Sequence, residues 1–111
     1  MLGDTIMITS GIFPVNVQYL VVGGGGTGGG GSPGNDRAGG GGGGGAVVSS
    51  TADFNRGTAY NIQVAPTSNG GSWTSASTRG PNGGSSAFDT ITADGGGGGG
   101  SAQVSGCLNG N

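Results

Sequence analysis

A chain of 111 residues with 32 glycines, 4 prolines and a net charge of −2 has room for one small domain and little charge to use. Its ionisable side chains are three arginines and five aspartates, with no lysine, glutamate or histidine. That composition excludes the clustered basic surface that nucleic acids and anionic membranes require, and it removes the commonest general bases and metal ligands.

The N-terminal stretch has no basic region followed by a long apolar one, so no secretory signal is expected. No segment approaches the roughly 20 apolar residues of a membrane helix, so no membrane insertion is expected. Thr5 to Ile8 predicts a short β-branched strand, followed by a turn at Ser10-Gly11. Val15, Val17, Tyr19 and Val21 then alternate with Asn16, Gln18, Leu20 and Val22, the period of a strand. The later half of that strand is apolar on both faces and is expected to be the more buried half.

Glycine runs follow at 23–26 and 28–31, then the polar turn segment Ser32 to Arg37, then seven glycines at 39–45. Ala46 to Thr51 predicts a strand, Phe54 to Gly57 a turn, and Thr58 to Val64 a second strand, making these two the best hairpin candidate. Pro66 to Ser86 has the composition of a long surface loop. Ala87 to Ala93 reads as one strand running into the last glycine run, 95–100, and a polar tail covers 101–111. Good helix formers are rare and no 3.6-residue apolar period occurs.

A glycine run beside a strand is either a linker or an extended polyglycine-II helix with three residues per turn. The runs recur at strand ends with few charges between them, which favours the ordered form. Seven glycines would then span roughly 22 Å. Such a helix makes no internal hydrogen bonds, so its backbone must pair with neighbouring segments or water. Gly23, Gly28, Gly42 and Gly98 represent these structural runs. Bulky side chains are few, so either partner subunits or dense backbone hydrogen bonding must supply stability.

No catalytic constellation is visible, and no enzyme, cofactor or metal site is expected. Asp4, Asp36, Asp53, Asp89 and Asp94 lack calcium-loop spacing, and Asp53 and Asp94 are expected to stabilise turns. Cys107 is single and reads as a free thiol. Arg37, Arg56 and Arg79 are expected to be solvated or paired with aspartates. In the long loop, Trp73, Arg79 and Asn82 form the candidate recognition set, with Trp73 stacking on a sugar or anchoring an interface. Trp73 folding back over the thin core remains the other reading.

Tyr19-Leu20-Val21-Val22 entering Gly23–Gly26, the second glycine block leading to Val48, Gly57-Thr58-Ala59-Tyr60-Asn61-Ile62-Gln63-Val64, Asn82-Gly83-Gly84-Ser85-Ser86-Ala87-Phe88 and Ile91-Thr92-Ala93-Asp94-Gly95 occur in one order. Over residues 12 to 100 this order resembles the glycine-rich domain of tailed-bacteriophage tail-fibre, tail-tip and receptor-binding proteins. After Val64, where that family usually continues with glycines, this chain has Ala65-Pro66-Thr67. The resemblance implies polyglycine-II packing, variable loops that contact a receptor, and a virion structural role.

Together these readings predict an all-β domain of short strands, sandwich-like, combined with polyglycine-II segments. The expected organisation is an N-terminal arm at 1–11, a glycine-rich core at 12–100 and a C-terminal tail at 101–111. The expected partners are further copies of itself (a trimer first, a filament second), other virion tail proteins, and a host surface glycan or outer-membrane protein. Synthesis in the cytoplasm would precede assembly into the virion. Two alternatives are a self-assembling extracellular filament subunit without a receptor and a polyglycine-II ice-binding protein.

Overall fold

The computed structural model describes residues 3–8, 11, 13–31, 38–70, 78–102 and 109–111. Six strands occur among them: β1 (Gly3–Met7), β2 (Val15–Val22), β3 (Val47–Phe54), β4 (Ala59–Gln63), β5 (Ser86–Phe88) and β6 (Ile91–Ala93). They form two antiparallel sheets, one of order β1-β4-β5-β6 and one of β2-β3, and the described residues contain no helix. The architecture is all-β.

The period-2 alternation of β2 is realised. Val15, Val17 and Tyr19 are half-buried and Val21 is buried, while Asn16, Gln18, Leu20 and Val22 face out. The two sheets meet over a small core of Val21, Phe54, Phe88 and Ala93, flanked by Tyr19, Tyr60, Ile62 and Ile91 among others. Four strands each bring one aromatic ring to it. Phe54 stacks on Phe88 at 4.9 Å and meets Tyr60 edge-on at 4.8 Å, while Tyr19 reaches Phe88 at 6.0 Å. The Tyr60 hydroxyl satisfies its polar end by accepting from the Asn55 backbone N–H at 2.7 Å. Edge-to-face and offset pairs of this kind each stabilise by about 0.5–1.5 kcal/mol beyond area burial.

Several sequence expectations are corrected. The later half of β2 is not buried on both faces: Leu20 and Val22 are 65% and 50% exposed. The reason is topological, because β2 and β3 form a two-stranded sheet and, among the described residues, no strand covers the outer face of these residues. β3 and β4 do not form a hairpin. β3 pairs with β2 over eight residues, from Val15↔Phe54 to Val22↔Val47, whereas β4 pairs with β1 and β5. The 55–58 connection instead carries the chain from one sheet to the other, with Gly57 at a φ of 74° that favours glycine. The stretch 87–93 is not one strand. Asp89, at a φ of 55°, turns the chain back so that Phe88 faces Ile91.

Asp53 and Asp94 hold other segments rather than turns. The Asn16 side-chain amide donates to Asp53 across the β2–β3 ladder at 2.8 Å, and the Ser85 hydroxyl donates to Asp94 at 3.4 Å. The Arg56 guanidinium donates to the Phe13 carbonyl at 2.6 Å. Arg37 and Cys107 lie outside the described residues.

The aromatic cluster generates the first prediction. Phe54→Ala removes the ring that links both sheets and should cost about 3–5 kcal/mol. A urea titration would show this as a large drop in midpoint. Gln18→Thr, on the solvent face of β2, should leave the midpoint nearly unchanged; a Phe54→Ala midpoint as small in effect would contradict the placement of the core.

Candidate functional site

Beyond the strands, the glycine-rich stretches are ordered into four extended segments: I (23–31), II (38–46), III (78–84) and IV (94–102). The backbone N–H groups of Gly23, Gly26 and Gly29 donate to the carbonyls of Ala46, Gly43 and Gly40 at 2.8–2.9 Å. Those of Gly24, Thr27 and Gly30 donate to Gly84, Pro81 and Thr78. Segment IV receives from Gly40, Gly43 and Ala46 of II and from Gly80 and Gly83 of III, and through Gly96, Gly99 and Ala102 it donates to I. Partners therefore recur every third residue, and the described glycines of these segments show no positive φ. A threefold repeat at negative φ is the left-handed polyglycine-II helix.

Segments II and III run antiparallel to I, while IV runs parallel to I and touches all three. Two long hairpins build this bundle without a change of register. The pairing Val22↔Val47 of β2 and β3 continues as Gly23 to Ala46, Gly26 to Gly43 and Gly29 to Gly40. Likewise Ser86↔Ala93 continues as Gly83 to Gly96 and Gly80 to Gly99. The two arms of each hairpin change conformation at the same point, so they advance by equal steps and stay paired.

The backbone distances explain where glycine is obligatory. A Cβ on Gly23, Gly26 or Gly29 would fall within 3.0 Å of segment IV, and one on Gly39, Gly42 or Gly45 would strike segment I. Gly95 and Gly98 face III in the same way, Gly96 and Gly99 face II, and Gly97 faces the Asn111 carbonyl. Segment IV is thus enclosed on three faces, which accounts for the five consecutive glycines 95–99. Gly41 and Gly44 meet nothing within 4 Å, and Gly28 meets only Gly40 at 3.5 Å. Gly28 is therefore not required by packing, in contrast to Gly23, Gly42 and Gly98. Thr27 interrupts the first run at the phase of Gly24, where a Cβ is merely tight, and its hydroxyl donates to the Pro81 carbonyl at 3.3 Å.

Segment III corrects the reading of Pro66 to Ser86 as one long loop. Arg79, Asn82 and Ser85 recur at the same three-residue spacing. Arg79 donates to the Asn111 side-chain carbonyl at 3.4 Å, and Asn82 Oδ1 accepts from the Gly98 N–H at 2.9 Å and from the Asn111 amide at 3.1 Å. Asn111 in turn donates its backbone N–H to the Gly98 carbonyl. Arg79 and Asn82, expected in a recognition loop, join segment III to the 109–111 stretch and, through Asn82, to segment IV. Trp73, the third member of that set, lies outside the described residues. The threefold spacing of polar residues in 79–85 was the signal in the sequence that could have revealed this segment.

The bundle also sets where the remaining chain emerges. Gly30 bonds to Thr78 and to Ala102, and Gly29 to Gly40, so all four segments reach one level at the end opposite the sheets. The described residues of segments I, III and IV end there, at 31, 78 and 102. The molecule is elongated, 66 × 21 × 15 Å. An apolar groove of about 480 Å³ lies lower down, between β2 and the larger sheet, lined by Ile6, Tyr19, Leu20, Val22, Ile62 and Val64 among others. Among the described residues no group of three or more His, Cys, Asp or Glu is placed to hold a metal ion, and no helix is long and apolar enough to cross a membrane.

Two substitutions one residue apart test the threefold rule. Gly42→Ala should unfold or strongly destabilise the bundle, because the new methyl collides with the backbone of Gly26. Gly41→Ala should stabilise by about 0.4–1 kcal/mol through lost freedom of the unfolded chain. Thermal melts of both variants decide it, and equal melting points would contradict the packing described.

No curated protein and no solved structure matches the chain. A family model described as a glycine-rich domain matches residues 5–111. The obligatory glycines, the strands that feed them and this match agree: the chain belongs to that glycine-rich domain family.

Proposed function

We propose that the protein is a structural component of a bacteriophage tail fibre or tail tip, which attaches to a host surface or builds the fibre presenting another adhesin. The observation that carries the reading is the common level at which segments I to IV end. In a bundle cross-linked on every turn, the described parts of segments I, III and IV end together, at 31, 78 and 102, at one end of an elongated body. Variable, polar, turn-rich sequence on a fixed scaffold is how binding loops are usually presented. The order of sequence blocks that resembles phage tail proteins supports the same reading.

On this account the protein is a binding or building element, not an enzyme, and takes no cofactor. Its partners are other virion tail proteins and, if it recognises the host directly, a surface glycan or outer-membrane protein. Self-association, with a trimer as the first expectation, belongs to the same reading. Leu20, Val22, Val47 and Val64 leave 65%, 50%, 63% and 61% of their surface exposed, an apolar area that a further copy could cover. An extracellular filament subunit is the second reading, favoured by the same exposed strands. The solid glycine runs, required for enclosure in segment IV, give no support to a flat ice-binding face.

Trp73→Ala, with the fold checked by circular dichroism, tests attachment. Loss of binding to host cells with the fold intact supports a recognition role; unchanged binding and fold would make this chain building material only. Sedimentation and electron microscopy test assembly: closed oligomers support the tail-component reading, and open-ended filaments support the alternative.

A further inference from the structure

Three Asn-Gly dipeptides lie among the described residues: Asn69-Gly70, Asn82-Gly83 and Asn109-Gly110. Asn-Gly is the pair most open to attack by the following amide nitrogen on the asparagine side chain, because glycine offers no steric shield. The bundle treats the first two very differently. The Gly83 N–H donates to the Gly96 carbonyl at 2.8 Å, and Asn82 Oδ1 is held by the Gly98 N–H and the Asn111 amide. Gly83 is also pressed against the backbone of Gly24. Both reacting groups are therefore fixed in an extended segment. Asn69 and Gly70 are exposed, nothing lies within 4 Å of the Gly70 Cβ position, and no hydrogen bond holds either residue among the described residues.

We propose that Asn69-Gly70 is a site of spontaneous covalent modification, and that the polyglycine bundle shields the same dipeptide at Asn82-Gly83. The Gly70 nitrogen, giving up its proton, bonds to Cγ of Asn69. The Cγ–Nδ2 bond breaks and ammonia leaves, forming a five-membered succinimide. Water then opens the ring at either carbonyl to give aspartate or isoaspartate. One water is consumed, one ammonia is released, and nothing is oxidised or reduced. Each event makes the chain one charge more negative, just before the 71–77 stretch. At Asn82 the reaction requires segment III to leave segment IV first, so its rate is reduced by the population of that opened state.

The test is incubation of the intact protein, warm and at mildly alkaline pH, followed by tryptic mapping. Cleavage after Arg56 and Arg79 places Asn69 in the peptide 57–79 and Asn82 in 80–111. Fragmentation that separates aspartate from isoaspartate assigns each product. The folded protein should convert Asn69 at least about tenfold faster than Asn82, and the two rates should converge in denaturant, where the opening equilibrium is removed. Gly70→Ala should slow conversion at position 69 without changing the melt. Equal rates in the folded protein would overturn the proposal, as would a ratio that persists in denaturant, since local sequence rather than the bundle would then set the difference.

Discussion

The structure depends on backbone groups bonding to backbone groups across spaces too small for a Cβ. In segments I to IV that contact recurs every third residue, and it holds together a region with almost no bulky side chains. A net hydrogen bond contributes about 0.5–1.5 kcal/mol, while ordering one residue costs about 1–2 kcal/mol. Glycine loses more freedom on folding than any other residue. The bundle therefore does not stand on its own bonds alone. It is anchored by the sheets, whose ladders run into it without a break, and by the aromatic cluster of Tyr19, Phe54, Tyr60 and Phe88. Adding segment IV to a bundle already aligned by β5 and β6 orders far fewer new degrees of freedom than collecting four free glycine strands would.

The order of these contributions explains the distribution of non-glycine residues. Segment IV, enclosed on three faces, admits none between Asp94 and Ser101. Segment I admits Thr27 at the one phase where a methyl is tight but tolerated. Segment III carries Arg79, Asn82 and Ser85 at one phase of its repeat; Arg79 and Ser85 bond to the side chains of Asn111 and Asp94, while Asn82 also takes the place of a backbone partner. Asn82 Oδ1, accepting from Gly98, performs the role a carbonyl performs elsewhere in the bundle.

Much of this was legible in the residues. The strand β2, the ordered state of the glycine runs and the all-β class follow from period-2 alternation entering uninterrupted glycine. What was not legible follows from one physical cause: hydrogen-bond partners in polyglycine are non-local and leave no pattern in side-chain chemistry. Nothing in Val47 to Phe54 says that it pairs with Val15 to Val22 rather than with Ala59 to Gln63, since the choice is made by the register inherited from Gly23 and Ala46. The 78–84 segment was hidden because Arg, Pro, Asn and Ser carry the composition of a loop, although Gly80 and Gly83 keep the three-residue spacing of a packed face. The reversal at Asp89 was hidden because Ala87 to Ala93 has the composition of one strand. Of the recognition set, Arg79 and Asn82 are exposed and bonded within the bundle, a role their loop-like composition did not reveal.

Amide hydrogen exchange read residue by residue tests the central claim most directly. In segment I, Gly23, Gly24, Gly26, Thr27, Gly29 and Gly30 donate to other segments, whereas Gly25 and Gly28 have no backbone partner among the described residues. In segment II, Gly40 and Gly43 donate and Gly41, Gly42, Gly44 and Gly45 do not. The account predicts protection that repeats with a period of three, two slow amides and one fast in segment I, one slow and two fast in segment II. Uniformly fast exchange would mean that the runs are linkers, and protection alternating with a period of two would mean that the strands continue through them; either result would contradict the polyglycine bundle.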